Sequence, residues 1–288
     1  VNEGLKVRES IDLLILKGKL LHELEEYKES TDIFQKALEK NRNRKEVHYH
    51  IAQNFLEQGE LLEGREALQQ EIQINPDHFQ ALLELGDMAL QRDDYDNAEQ
   101  NYVEARKLEP DNPKPALGLG QPYRMKEELD KATEQVRDVL SRFPDDREAN
   151  LEMGRILVAK EDLQEARTFF TNVLDLIEEA PPEEQKGLKR LKADALIARG
   201  EISLLTAGPG TANKDFRKAL EVVPSYGKAY YHIGIAYRKK YASSKKLQDL
   251  KTAEENLLKL RELAPQNPQF ALELGIQDDE QAYTIARA

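Results

Sequence analysis

Three prolines, Pro76, Pro110 and Pro144, stand 34 residues apart, each just past an apolar pattern of helical period. A fixed period of this length constrains the fold more than any other feature, because one small unit must be built repeatedly and stacked on itself. The residues upstream share the register. Residues 79–112 carry Leu82, Leu85, Gly86, Ala89, Ala98, Tyr102, Ala105 and Pro110. Residues 113–146 carry Ala116, Leu119, Gly120, Tyr123, Ala132, Val136, Val139 and Pro144. Residues 45–78 offer His48, Ile51, Ala52, Phe55, Gly64, Leu68 and Pro76.

Each position has a physical reason. A small residue after the leucine (Gly86, Gly120, Gly154) lets a first helix approach its partner, and an early alanine of the second (Ala98, Ala132, Ala166) receives bulky side chains. The proline lies past the second helix, where it cannot continue the helix and turns the chain into the next unit. The turn inside a unit is short and polar, as in Gln91-Arg92-Asp93-Asp94, where an Asp caps the second helix. The same register extends over 11–44, 147–180, 193–226 and 227–267.

This pattern of a large residue, a Leu–Gly or Leu–Ala pair, an aromatic, a small residue and a closing proline resembles the tetratricopeptide repeat. The expected fold is all-α: a right-handed superhelix, or α-solenoid, of stacked antiparallel helix pairs. The expected organisation is an N-terminal segment over 1–10, units one to five over 11–180, a helical insertion over 181–192, units six and seven over 193–267, and a partial unit or capping helix over 268–288, where Leu274 and Gly275 restart the pattern. Pro181 and Pro182 followed by Glu183 and Glu184 read as a helix start that lengthens the next helix backward. Seven further residues near 241–247, around Ser243 and Ser244, read as a lengthened inter-helix loop. Pro122 falls inside a first helix beside Gly118 and Gly120, so a kink is expected there.

The resemblance implies where function lives, since first helices of the family line an inner surface that binds extended peptides or partner helices. One inner position reads Ile15, Tyr49, Leu83, Leu117, Leu151, Ile197 and Tyr231. The next holds Lys19, Gln53, Asp87, Gln121, Arg155, Glu201 and Ile235, and a third His22, Leu56, Leu90, Arg124, Val158, Leu204 and Arg238. The groove is thus expected to have an apolar floor with mixed polar flanks, suited to a protein or peptide partner with apolar anchors. Leu56, Leu90 and Leu204 are the expected exposed contacts. The family's carboxylate clamp for chaperone tails is not expected, because its places hold Ile15, Lys19, His50, Gln80 and Glu84. Arg238, Lys239, Lys240, Lys245 and Lys246 form a second candidate, a basic patch, with a solvated loop as the plainer reading.

Charge and composition exclude other classes. Net charge is −12, which opposes nucleic acid and anionic membrane, and residues 1–180 carry −16 against +4 for 181–288. That asymmetry permits acidic-end to basic-end self-association. No cysteine is present, so thiolate metal sites and cysteine nucleophiles are excluded, and either cytoplasm or periplasm suits the chain. No apolar run approaches a membrane span. His48 and His50 point to different helix sides, His22, His78 and His232 stand apart, and no HExxH spacing occurs. Gly118-Leu119-Gly120 lacks a preceding strand, and Asp93-Asp94-Tyr95-Asp96 lacks a calcium-loop glycine. The reading is a non-enzymatic scaffold or adaptor without cofactor. The alternative is the targeting or regulatory arm of a larger multidomain enzyme or sensor, which the start at Val1 and the half-unit after Pro268 favour, or a self-associating assembly component.

Overall fold

The computed structural model describes residues 10–263, which form fifteen α-helices and, among the described residues, no strand. The segment 1–9, Pro265, and the restart at Leu274 and Gly275 lie outside the described residues. The chain divides into two compact units, Val1–Gln135 and Val136–Ala288.

In the first unit lie α1 (Ile11–Glu23), α2 (Tyr27–Lys40), α3 (Val47–Glu57), α4 (Leu61–Ile74), α5 (Phe79–Leu90), α6 (Tyr95–Leu108) and α7 (Pro113–Met125). Helix α8 (Leu129–Arg142) begins in the first unit and ends in the second. The second unit continues with α9 (Arg147–Ala159), α10 (Leu163–Glu178), the short α11 (Pro182–Gly187), α12 (Lys189–Thr206), α13 (Pro209–Val222), α14 (Gly227–Ser244) and α15 (Leu247–Leu263). Within each unit, helices pair in sequence and pack on the next pair.

Local chemistry sets the boundaries. Ser10, Asp94, Asp146 and Asp162 accept the N–H three residues on and cap α1, α6, α9 and α10, and Asn112 precedes Pro113 at the first position of α7. The turn between paired helices uses one left-handed residue at a constant repeat position: Glu25, Gly59, Asp93, Glu127 and Glu161, with φ between 56° and 78°. Only one of these five is glycine, so the turn is held by its neighbours rather than by glycine's freedom.

The pairs lock through a glycine and a ring sixteen residues later. Gly18 lies beneath Phe34, Gly86 beneath Tyr102, Gly154 beneath Phe170 and Gly200 beneath Phe216. All four rings are essentially fully buried. Gly118 of α7 covers the other side of Tyr102, where a Cβ would lie 2.6 Å from the ring. Glu71 of α4 is fully buried and accepts the backbone N–H groups of Glu46 (2.7 Å) and Tyr49 (3.4 Å), capping α3 from a different helix. On α1, Leu13, Leu16 and Leu20 are exposed, at positions where α3 buries Val47 and Asn54.

Two expectations are corrected. Residues 241–247 are not a lengthened loop: α14 runs to Ser244 and α15 starts at Leu247, so the extra residues become helical turns. The insertion over 181–192 makes the separate helix α11, then a break at Leu188, then the first turn of α12, rather than one backward extension. Pro122 lies inside α7 as the sequence places it, and its ring is buried.

Candidate functional site

The first helices of the first unit carry a polar cluster rather than an apolar floor. The Tyr49 hydroxyl donates to Glu84 Oε1 at 3.0 Å, Gln53 Nε2 to Glu84 Oε2 at 2.6 Å and Gln80 Nε2 to Glu84 Oε1 at 3.2 Å. Burial, then the Glu84 charge, push the Tyr49 phenol well up, so it stays a donor. Gln53 is ninth in its repeat and Glu84 sixth in the next, a separation of 31 residues. The same rung recurs in the second unit, where His232 Nε2 lies 3.0 Å from Glu201 Oε1. Adjacent first helices are therefore joined by side chains that face one another across the repeat boundary.

Asp87, exposed on α5, accepts the Tyr102 hydroxyl at 2.5 Å. Ile15, Leu117 and Gln121 are half-buried, as is Arg124, which reaches the Met125 sulfur. Leu56 is half-buried with its side chain against Gly64 of α4, and Leu90 is half-buried. In the second unit Arg155 pairs with Glu152 at 3.4 Å, Tyr231 meets the His232 ring edge-on at 5.0 Å, and Arg238 is exposed.

Other expected contacts are removed from the surface. Leu83, Leu151 and Ile197 are buried core residues. Leu204, expected to be exposed, is also buried, because α14 lies over the end of α12 and Lys239 Nζ donates to the Leu204 carbonyl at 3.1 Å. The basic run is likewise partly consumed. Lys240 Nζ pairs with buried Asp249 at 2.7 Å and Ser244 Oγ donates to the same carboxylate, which holds Asp249 below the usual carboxylate range. Lys245 closes α14 in a left-handed conformation beside the Tyr241 ring, and Lys246 is exposed.

The histidines hold structure together. His22 Nδ1 donates to Asn54 Oδ1 at 2.7 Å, and Asn54 donates to Ser30 and Thr31 of α2. His78 accepts the Ala81 N–H as the cap of α5 and lies 4.5 Å from the Tyr49 ring. His50 stacks on Phe34 with Nε2 unpartnered. Burial, followed by the charge of Lys19, pushes His50 down to about 4. Among the described residues no group of His, Asp and Glu is placed to hold a metal ion, and no helix is long and apolar enough to cross a membrane. Glu71, Gln80 and Glu84 were not read as site or capping residues; a 31-residue spacing of complementary side chains is the signal that finds the rungs.

Repeating helix pairs with this glycine–ring packing define a tetratricopeptide-type α-solenoid. Family models described as tetratricopeptide repeat match residues 11–44, 49–113 and 89–149, and the chain belongs to the tetratricopeptide-repeat family. Among solved structures it is similar to the chain in the crystal structure of the APC/C hetero-tetramer Cut9–Hcn1, with TM-score 0.65, 18% identity and coverage of 91% of this chain. The match spans 48% of that chain's length, so this chain covers about half of it. It is also similar to yeast Tom70 (TM-score 0.59, 14% identity, 100% of this chain and 67% of that) and to PilF of Pseudomonas aeruginosa (0.55, 17%, 77% and 95%). At these identities the likeness is one of fold. No curated protein matches. As a tetratricopeptide array the chain is, in general terms, a protein-interaction scaffold.

Proposed function

We propose that the chain is a non-catalytic adaptor that holds a protein segment along its first helices, centred in the first unit on Tyr49, Gln53, Glu84 and Asp87. The observation that carries this reading is the rung between neighbouring first helices. Glu84 is held by three neutral donors, and among the described residues neither it nor Asp87 has a cationic partner. Both charges are therefore pre-positioned at no further ordering cost for a partner's N–H groups or cations. The likeness of fold to chains found in assemblies, such as the Cut9–Hcn1 hetero-tetramer, supports an assembly role.

The test is capture from native lysate by wild type beside Gln53→Ala/Asp87→Ala, both checked for helicity by circular dichroism. A partner retained by wild type and lost by the folded variant is the expected result. Equal capture by both would move the binding surface away from the first helices.

A further inference from the structure

The second helices carry a different site. A cleft of about 340 Å³ opens between α4 and α6, with Ile72 and Leu85 in its lining and carboxamides from both walls, among them Gln69, Gln73 and Gln100. Arg65 and Arg92 line the same cleft.

The repeat itself shows that these guanidinium groups lack their counter-charge. One period after Arg92 stands Lys126, whose Nζ lies 2.7 Å from both Asp96 and Glu99 of α6. One period before that acid pair stand Leu62 and Arg65. At the α6–α7 boundary the fold thus supplies two carboxylates to its cation, whereas at the α4–α5 boundary it supplies a leucine and a second cation. Among the described residues, neither the Arg65 nor the Arg92 guanidinium makes a hydrogen bond or an ion pair. The carboxylate in the lining, Asp94, is committed to α6, accepting Asn97 N at 3.4 Å and Asn97 Nδ2 at 2.7 Å. The preceding cleft is walled by Glu63 and Glu66, which Asn97 and Gln100 replace one period later.

We propose that the α4–α6 cleft binds an extended acidic segment of a protein partner. Each carboxamide both donates and accepts, which matches the two sides of a peptide group, and guanidinium forks match a carboxylate bidentately. The net charge of −12 opposes a polyanion such as nucleic acid, while a short segment with one or two carboxylates is admitted. The site is separate from the first-helix cluster around Glu84.

The probe is a fluorescein-labelled peptide, acetyl-Ala-Glu-Ala-Glu-Ala-amide, titrated with the full chain by fluorescence anisotropy beside its Gln counterpart. Saturable binding is expected, weaker by about tenfold for the Gln peptide and about fivefold or more for Arg65→Ala or Arg92→Ala. Leu62→Asp/Arg65→Glu rebuilds the acid pair that serves Lys126, so it abolishes binding while circular dichroism shows full helicity. Gln53→Ala leaves the titration unchanged. Equal binding of the two peptides, undiminished binding by folded Leu62→Asp/Arg65→Glu, or loss in Gln53→Ala would each overturn the proposal, the last by moving the peptide to the first helices. Tighter binding of a single-stranded oligonucleotide than of the Glu peptide would also overturn it.

Discussion

Two glycines of the first unit are equally small and serve opposite purposes. Gly86 lies under the Tyr102 ring, where a Cβ would stand 2.7 Å from Cε1, and Gly118 blocks the ring's retreat on the other side. Gly59 has open space around its absent Cβ but a φ of +78°. Gly86→Ala is therefore expected to destabilise by about 2 kcal/mol through overpacking, despite better helix propensity. Gly59→Ala is expected to cost about 1 kcal/mol through backbone strain alone. Chemical denaturation of both variants checks the ordering. His50 predicts a pH effect with a definite sign. Its folded pKa of about 4 lies below the ordinary 6.5, because burial first and Lys19 second disfavour the cation. The stability this contributes is present above pH 6.5 and is lost as pH falls from 6.5 toward 4, where the unfolded chain takes the proton first. His50→Gln should flatten the fall in Tm over that window; an unchanged slope would contradict the burial argument.

Element boundaries were legible wherever the responsible group is local. Asp94 and Asp162 stand beside the helices they cap, and the Gly–ring spacing within a pair is visible in the repeat. The start of α3 was not legible, because Glu46 and Tyr49 donate to Glu71, which lies at least 22 residues away on α4. Glu71→Leu keeps the volume and removes both acceptors from a fully buried site, leaving two N–H groups without partners. The expected loss is about 2 kcal/mol, with helicity lost first at the α3 amides in hydrogen exchange. The residues near 241–247 teach the same lesson in reverse. Their Ser and Lys content reads as loop, but Lys240 and Ser244 converge on Asp249 and make further helical turns of α14 stable.

For the whole molecule, the excess of acidic groups sets behaviour in solution. With 42 basic and 54 acidic residues the sequence pI is about 5.1. Solubility is expected to pass through a minimum near that pH, which light scattering across pH 4–7 would show as a peak. The family and the all-α stacked-pair class followed from periodicity, since a 34-residue period is a property of the linear chain. Which first-helix residues remain at the surface did not follow. Leu56, Leu90 and Leu204 occupy the same repeat position, yet only Leu204 is buried, because the longer α14 lies over the end of α12. The paired state of Lys126 and the unpaired state of Arg92 likewise differ although both are cations at one repeat position. Repetition specifies which positions meet across a boundary; whether the group met there is a carboxylate, a leucine or a second cation is decided by packing two non-identical copies against each other.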